Sequence, residues 1–472
     1  MEKAFKLLHK ENTQLKAENA ALKLENAELR AENKALKAEI IVLQTTIKQL
    51  MARLEDLERR LKLDPQTSHK PSGAEPFRKP ISTRGKTNKP SGGQNGHVGK
   101  TLAMTDTPDE IKIIPVNCCE KCQADLSQQK SKRNRRAQVF DLPDPRIIVR
   151  EFQTEEKNCV CGHTTVSKLP KGVQLGAQYG SLIRIITSYL NSKQLIPEER
   201  VADVMHDLFG VDLCSASVGN HVIELSEKVK PYDEANHKAA AGERVKHSDE
   251  TWFRIRKLAA YLQVLSTKTH THYKPTFKRG DIIRTTGGVL VSDHFVSYKT
   301  LENIRHAFCN AHHIRELEAV SQHDKEPWAA SFKKLLQFAC HRAKSPNIQH
   351  YQPAISRRFD ELIEKGLVYH ALLPPLESKS GKKNRKSYNL LIRLRDNKES
   401  VLRFLYEEDV PFTNNLAERD LRMMKVKQKI SGGFRSMEGA EHFCRIRGVM
   451  STLQKQNTPL LPFMKSLYPS IA

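Results

Sequence analysis

A chain of 472 residues is too long for one ordinary hydrophobic core, so several domains are expected. Lys and Arg outnumber Asp and Glu by 78 to 54, a formal net charge of +24, which suits a polyanionic partner, nucleic acid by default. No apolar run is long enough to span a bilayer and no charged start leads into an apolar h-region, so the expectation is no membrane and a cytoplasmic location, nucleoid-associated when bound to DNA.

The first 61 residues repeat every seven. Leucine stands at Leu8, Leu15, Leu22, Leu29, Leu36, Leu43, Leu50 and Leu57, the d positions. The a positions are Asn12, Asn19, Asn26, Asn33, Ile40, Ile47 and Leu54. Glutamates fill g from Glu11 to Glu39, and Lys16, Lys23, Arg30 and Lys37 fill e. In a parallel, in-register dimer each g glutamate faces an e base of the other chain, and the buried asparagines penalise other registers and higher oligomers. A homodimeric coiled coil over 1–62 is therefore expected, with a single solvated charged helix as the plainer alternative. Residues 63–102 then turn to Pro, Gly, Ser and Thr, with seven Lys or Arg against two acids. That composition packs no core and predicts a flexible basic linker.

Nine cysteines in a cytoplasmic chain are better suited to metal or to ordinary packing than to disulfides. Cys119 and Cys122, with Cys159 and Cys161, form two close pairs at the ends of a small β-prone segment, Ala137–Leu142 and Arg146–Thr154. The pattern suits a structural Zn²⁺ site of zinc-ribbon type over 103–170, with Cys118 and His163 as alternative ligands and unliganded thiols as the plainer reading. Residues 171–243 read as helical: Ile196–Leu208, a turn at Phe209–Gly210, and a second helix capped by Ser217 and running toward Val229. Helix, glycine turn, helix resembles a DNA-reading pair, though any α-rich domain contains such pairs.

From Arg244 the period becomes two. Val245, His247, Asp249, Thr251, Phe253 and Ile255 share one strand face; Lys246, Ser248, Glu250, Trp252 and Arg254 share the other. Strands are predicted next at Ala259–Thr267 and Thr269–Phe277, then a short helix around Asp281–Thr285. A strand Gly288–Ser292 delivers Asp293 at its end, and a fifth strand follows at Ile304–Cys309. This βββ-α-β order matches a ribonuclease-H-like sheet with an aspartate on each of two strands. Phosphoryl transfer between DNA strands needs two divalent ions about 3.5–4 Å apart, and hard Mg²⁺ or Mn²⁺ takes carboxylate oxygens. A third acid is offered by Glu418 in Asn414-Asn-Leu-Ala-Glu-Arg-Asp-Leu-Arg422, although helix rules alone, with Asn415 as N-cap, favour reading that glutamate as an N3 capping-box residue. Cys309 and His312, near His306 and His313, form no complete tetrahedral set and suit a structural or positioning role. The basic run Lys379–Lys386 is either a solvated loop or a phosphate contact.

The runs His247-Ser-Asp-Glu-Thr251, Val291-Ser-Asp-His-Phe-Val-Ser-Tyr298, Cys309-Asn-Ala-His312, Asn414–Arg422 and Ile430-Ser-Gly-Gly-Phe-Arg-Ser436 resemble a transposase of the insertion-sequence sixty-six family. The N-terminal order of zipper, basic linker with Gly92-Gly-Gln-Asn-Gly-His97, cysteine pairs and helical segment is also similar. The resemblance implies Asp249, Asp293 and Glu418 as the catalytic acids, with two Mg²⁺ or Mn²⁺ ions. It also implies DNA as substrate and, in many family members, small accessory proteins of the same element.

These segments together describe a multidomain α/β protein. The catalytic domain falls on 244–313 and 411–450, the helical insertion on 314–410 and a tail on 451–472. Arg419, Arg422, Lys425, Lys427 and Arg435 are candidate DNA-phosphate contacts. The expected activity is cleavage at element ends and transfer of the 3′-OH into target DNA. The rival is a non-catalytic, dimeric, zinc-containing DNA-binding regulator, and a second is a nuclease or resolvase-like enzyme on the same fold.

Overall fold

The structure is a computed structural model and describes residues 2–62, 102–130, 135–374, 376–378 and 381–469. The expected basic linker lies outside these residues except for Leu102, as do Lys379 and Ser380 of the basic run. The chain divides into two compact units, Met1–Ile81 with Ala307–Thr413 and Ser82–His306 with Asn414–Ala472.

Helix α1 (Glu2–Lys62) is continuous over 61 residues, and its leucines from Leu15 to Leu50 are all exposed. A stripe of apolar side chains along one helix has nothing of its own to pack against.

The cysteine-bearing segment differs from expectation. Residues 137–142 and 146–154 form no strand; they run irregular and mostly exposed, with Val139 at 90 %. Without a partner to bond and a face to cover, β-prone residues gain nothing from pairing. The strands that do form are β1 (Glu156–Asn158) and β2 (Thr164–Val166), an antiparallel pair bracketing the second cysteine pair.

Three helices follow: α2 (Ser181–Ser192), α3 (Glu198–Phe209) and α4 (Ser215–Gly242). Gly210 ends α3 at φ +64°, a left-handed turn that suits glycine. Helix α4 starts earlier than expected. Its N-cap is Cys214 rather than Ser217, whose N–H instead donates to Cys214 O at 3.0 Å, and it runs on to Gly242.

The sheet contains β3 (Val245–Ile255), β4 (Leu258–Ser266), β5 (Thr271–Thr276), β6 (Val289–Ser292) and β7 (Arg305–Phe308), in the order β5-β4-β3-β6-β7. Strands β3, β4 and β5 form an antiparallel meander, and β6 lies parallel to β3. The helix expected around Asp281–Thr285 is absent. That stretch is irregular and buries Ile282, Ile283 and Thr285. The carbonyls just beyond it, of Thr286 and Gly287, accept from Lys246 Nζ at 2.9 and 2.8 Å rather than from a helical ladder.

The other unit then contributes α5 (Asn310–Ala319), α6 (Pro327–Arg342), α7 (Ile348–Ala371), the hairpin β8 (Leu376–Ser378) and β9 (Gly381–Lys383), α8 (Lys386–Asp396) and α9 (Lys398–Leu402). Its core packs Trp328, Phe332, Phe359, Leu362 and Leu391, with the rings of Phe332 and Phe359 4.7 Å apart.

The chain returns to the sheet-bearing unit as α10 (Asn415–Ser431), α11 (Met437–Lys455) and α12 (Leu460–Ser466). Ala417, Leu421 and Met424 of α10 and Phe443 of α11 close over Phe253, Leu262 and Val264, the apolar face of the sheet. Leu265, Leu290, Ile282 and Tyr298 form a second core on the opposite face. Gly433 lets the chain leave α10 tight against the end of β3: a Cβ there would stand 2.3 Å from Arg254 O, and Phe434 bridges Ile255. No helix among the described residues is long and apolar enough to cross a membrane.

Candidate active site

Strand alternation sets the direction of Asp249. Beyond Thr251 the pattern is regular: Phe253 and Ile255 are buried, Trp252 and Arg254 exposed. The first half of β3 is buried on both faces, including Lys246 and Ser248 on the face expected to be polar. Lys246 is tolerated there because its ammonium donates to three carbonyls, of Ala241, Thr286 and Gly287. Asp249 has the parity of Phe253, and hence of the face that α10 covers.

The parallel pairing of β3 and β6 runs Val245 with Val289, Lys246 with Leu290 and His247 with Val291. Asp249 and Asp293 each stand two residues beyond that last pair, so the two aspartates sit side by side where adjacent strands part. Their local bonds are alike. Asp249 Oδ1 accepts the Glu250 N–H at 2.8 Å, and Asp293 Oδ1 accepts the Phe295 N–H at 3.0 Å.

Glu418 arrives from the first turns of α10. The capping-box alternative does not survive. The N-cap is Asn414, so Glu418 is the fourth helical residue rather than the third, and Asn414's side chain caps nothing. It is engaged elsewhere: Oδ1 accepts from His247 Nδ1 at 2.9 Å and Nδ2 donates to Ser248 O at 2.8 Å. These two bonds pin the start of α10 to the strand residues just before Asp249.

Both aspartates titrate above their ordinary range, chiefly through burial. Asp249's carboxyl lies well above the usual carboxylate range, first because it is desolvated, then because Asp293, Glu418 and Glu250 crowd it with like charge. Asp293 is also raised, by desolvation and by Glu250 and Glu418, against the Phe295 N–H and Arg279. Tyr298, 1 % exposed beneath them, is pushed well above its ordinary value by burial and by both aspartates. Glu250 is held apart on the other face of the strand, accepting from Arg279 Nε at 2.7 Å and Gln263 Nε2 at 2.8 Å. A carboxylate cluster whose main charge neighbours are other carboxylates is the donor set that a hard divalent cation satisfies.

Asn414, His247 and Tyr298 all lie in the motif runs, but no local rule assigned them a role. Of the five predicted phosphate contacts, Arg419, Arg422 and Arg435 are exposed. Lys425 lies over the Trp252 ring at 4.6 Å and donates to Trp252 O at 3.1 Å. Lys427 is buried, its ammonium between the rings of Phe434 and Phe443. The cleft between α3 and the start of α4 is lined by Asp203, Asp207 and Asp212, a poor seat for phosphate.

The cysteines form two similar loops. Cys119 N donates to Ala124 O and its carbonyl accepts from Gln123; Cys159 N donates to His163 O and its carbonyl accepts from Gly162. Both leading thiols are pulled below the ordinary value by backbone N–H donation, from Cys122 and Lys121 in one loop and Cys161 in the other. The structure does not gather the four sulfurs into one cluster. In the other unit, Cys309 is buried beside α5, where Asn310 Nδ2 donates to Val401 O at 2.9 Å and Asn310 Oδ1 pairs with His313 Nδ1 at 2.9 Å.

A family of unknown function (DUF6444) matches residues 16–103. An uncharacterized protein of Sinorhizobium fredii (strain NBRC 101917 / NGR234), y4jO, is 39 % identical over 66 residues, 14 % of this chain and 21 % of the relative. The chain thus spans about a fifth of that relative's length. The family model described as Transposase IS66 family matches residues 179–442, a stretch that contains all three acids, their clamp and both faces of the sheet. That match takes in more than half of the chain, and the protein belongs to the IS66 family of transposases.

Proposed function

We propose that this protein is a DNA transposase of the three-carboxylate type, built on a ribonuclease-H-like sheet, that cleaves the phosphodiester at its element's ends and transfers the freed 3′-OH into target DNA. What carries this is the register of β3 and β6, which sets Asp249 beside Asp293, with α10 bringing Glu418 to the same group. Two Mg²⁺ or Mn²⁺ ions held by these three acids would activate the attacking oxygen and stabilise the leaving one. The chain's own task is positional: it holds the carboxylates together against their repulsion and keeps Tyr298 protonated below them.

The supporting parts fit the same work. The heptads of α1 suit a parallel homodimer, which would bring two catalytic units to two element ends. The thiolate-favouring loops at Cys119–Cys122 and Cys159–Cys161 have the donor chemistry for a structural Zn²⁺. Arg419, Arg422 and Arg435 present exposed charge for phosphates. A regulator without catalysis would need none of the aspartate register. The test is strand nicking and joining on DNA bearing the element's own ends, with Mg²⁺ present or chelated. Asp249→Asn, Asp293→Asn and Glu418→Gln should each abolish joining while leaving DNA binding; joining that persists in any of the three removes that residue from the catalytic set.

A further inference from the structure

Helix α10 turns a second row of side chains, Arg419, Arg422, Met423 and Val426, toward a cleft of about 520 Å³. Their spacing of three, four and seven places them on one helix face. The opposite walls are Lys193 at the C-cap of α2, and Arg447 and Lys455 of α11. Five cations therefore converge on a space whose lining holds one carboxylate, Asp420.

Asp420 offsets only one of these five charges, and its field reaches Lys193 and Arg447 as well as Lys455. Its Oδ2 is taken by Lys455 Nζ at 2.7 Å and Ser266 Oγ at 2.7 Å. Lys455 is in turn consumed structurally, donating also to Thr267 O at 3.0 Å and His270 O at 3.2 Å. Four cations remain. Arg447 Nη1 donates to Lys193 O at 2.7 Å, and Lys193 Nζ donates to Gln454 Oε1, so both bases are held in place by neutral acceptors. Burial, then the charge of Arg447, pull the Lys193 ammonium down to about 8. Arg419 and Arg422 are exposed and make no ion pair or hydrogen bond among the described residues. Two partly buried like charges beside two unpaired guanidiniums are costly without an anion between them.

We propose that this cleft is an oxyanion site for a backbone phosphate of DNA, formed by Lys193, Arg447, Arg419 and Arg422. It deepens the transposase reading and rests on it. Because Arg419 and Arg422 share α10 with Glu418, a phosphate seated here fixes the duplex relative to the acids without touching them. Such a contact is blind to base sequence.

The test is the salt dependence of binding by the full chain, carrying Asp249→Asn to prevent turnover, to a duplex with the element end and to one of unrelated sequence. Lys193→Gln and Arg422→Gln should each weaken binding roughly three- to tenfold for both duplexes and lower the slope of log K against log salt by about one. Lys193→Arg should keep the slope. Arg422 is exposed, so its variant reads the site even if the Lys193 variant loses stability. Unchanged slopes in both variants, in folded protein, overturn the proposal. So does a cleft in which inorganic phosphate raises the melting temperature of the wild type but not of Lys193→Gln while the DNA slope stays put, because that is a small-anion site. The catalytic reading fails separately: a chain with full salt slope but no metal-dependent joining refutes the acids, and a joining chain with an unchanged slope in Lys193→Gln and Arg422→Gln refutes only the cleft.

Discussion

Asn414 Oδ1 accepts from His247 Nδ1 at 2.9 Å, while the same side chain donates from Nδ2 to Ser248 O at 2.8 Å. The second bond fixes which way the amide points, and so makes His247 the donor in the first. Burial holds His247 down to about 4, so it is neutral at any working pH and its Nδ1 keeps the proton. A helix start is thereby tied to a strand two residues from Asp249, and the carboxylate at the fourth position of that helix inherits the strand's precision. Asn414→Ala removes an acceptor and a donor at a 1 % exposed position. Strand joining should fall about a hundredfold, the scale of a small misplacement in an active site. Melting should drop by a few degrees, for a loss of about 1–3 kcal/mol. DNA affinity should hold. Full joining in a folded Asn414→Ala chain would show that the clamp is not needed to place Glu418.

The raised carboxyls make a statement about stability. Asp249 and Asp293 both titrate above their unfolded values. Between the two pKa values the folded chain holds protons that the unfolded chain has lost, so this contribution is fully present below the unfolded pKa and lost as pH rises through the folded one. Asp249→Asn removes the loss. In chelator near pH 7 it should melt about 2–4 °C higher than the wild type, with the gain shrinking toward pH 4. The same linkage requires divalent binding to release protons and to tighten as pH rises. A melting temperature unchanged or lowered by Asp249→Asn, across that range, contradicts the raised carboxyl of Asp249.

Lys246 illustrates how much of this site was legible in the sequence. Period two correctly separated Asp249 from Glu250, and the strand ending at Asp293 follows from a short apolar run and its β-branched residues. Alternation alone also assigned Lys246 and Ser248 to a polar face. It carries no information about what packs on that face, and here Ile282, Ile283 and Tyr298 of the segments flanking β6 contribute to the core there. The predicted helix at Asp281–Thr285 failed for the same reason, since its neighbouring carbonyls serve a lysine distant in sequence. Glu418 could not be separated from a capping glutamate by helix rules, because the N-cap falls on Asn414 rather than Asn415, and the Asn414 side chain is engaged by a histidine 167 residues away. The basic cleft was half visible in Arg419 and Arg422; Lys193 and Arg447 join it only through the packing of α2 and α11.

Replacing Lys246 by methionine tests the buried face directly. Methionine matches the length but leaves the carbonyls of Ala241, Thr286 and Gly287 without this donor. The cost should be at least about 3 kcal/mol, read as a clear fall in the denaturation midpoint. Because the three carbonyls connect the end of α4 to the segment before β6, the variant should also lose joining more than it loses DNA binding. A midpoint within error of the wild type would mean that the ammonium contributes nothing net.

The cysteine loops offer a metal-removal experiment. Backbone N–H groups already favour thiolates at Cys119 and Cys159. Purified protein should carry one Zn²⁺ per chain by elemental analysis, and Cys119→Ser or Cys159→Ser should lose it. Chelation should expose residues 103–170 to protease at neutral pH. A zinc-free chain with the same proteolytic pattern and DNA affinity would reassign these cysteines as unliganded thiols.

The heptads of α1 make two opposite predictions from one helix. Leu29 is a d position and Asn26 the neighbouring a position, both on α1, whose apolar stripe is exposed in a single chain. Leu29→Asp puts a charge in the seam, so sedimentation of the full chain should shift from dimer toward monomer. Asn26→Leu does the reverse. It removes a polar group that costs stability but excludes other arrangements, and the chain should then melt higher while populating trimers or tetramers. Joining at paired ends should suffer in both, from too few partners in one and from the wrong number in the other. A solvated single helix predicts instead that neither substitution changes the sedimentation coefficient.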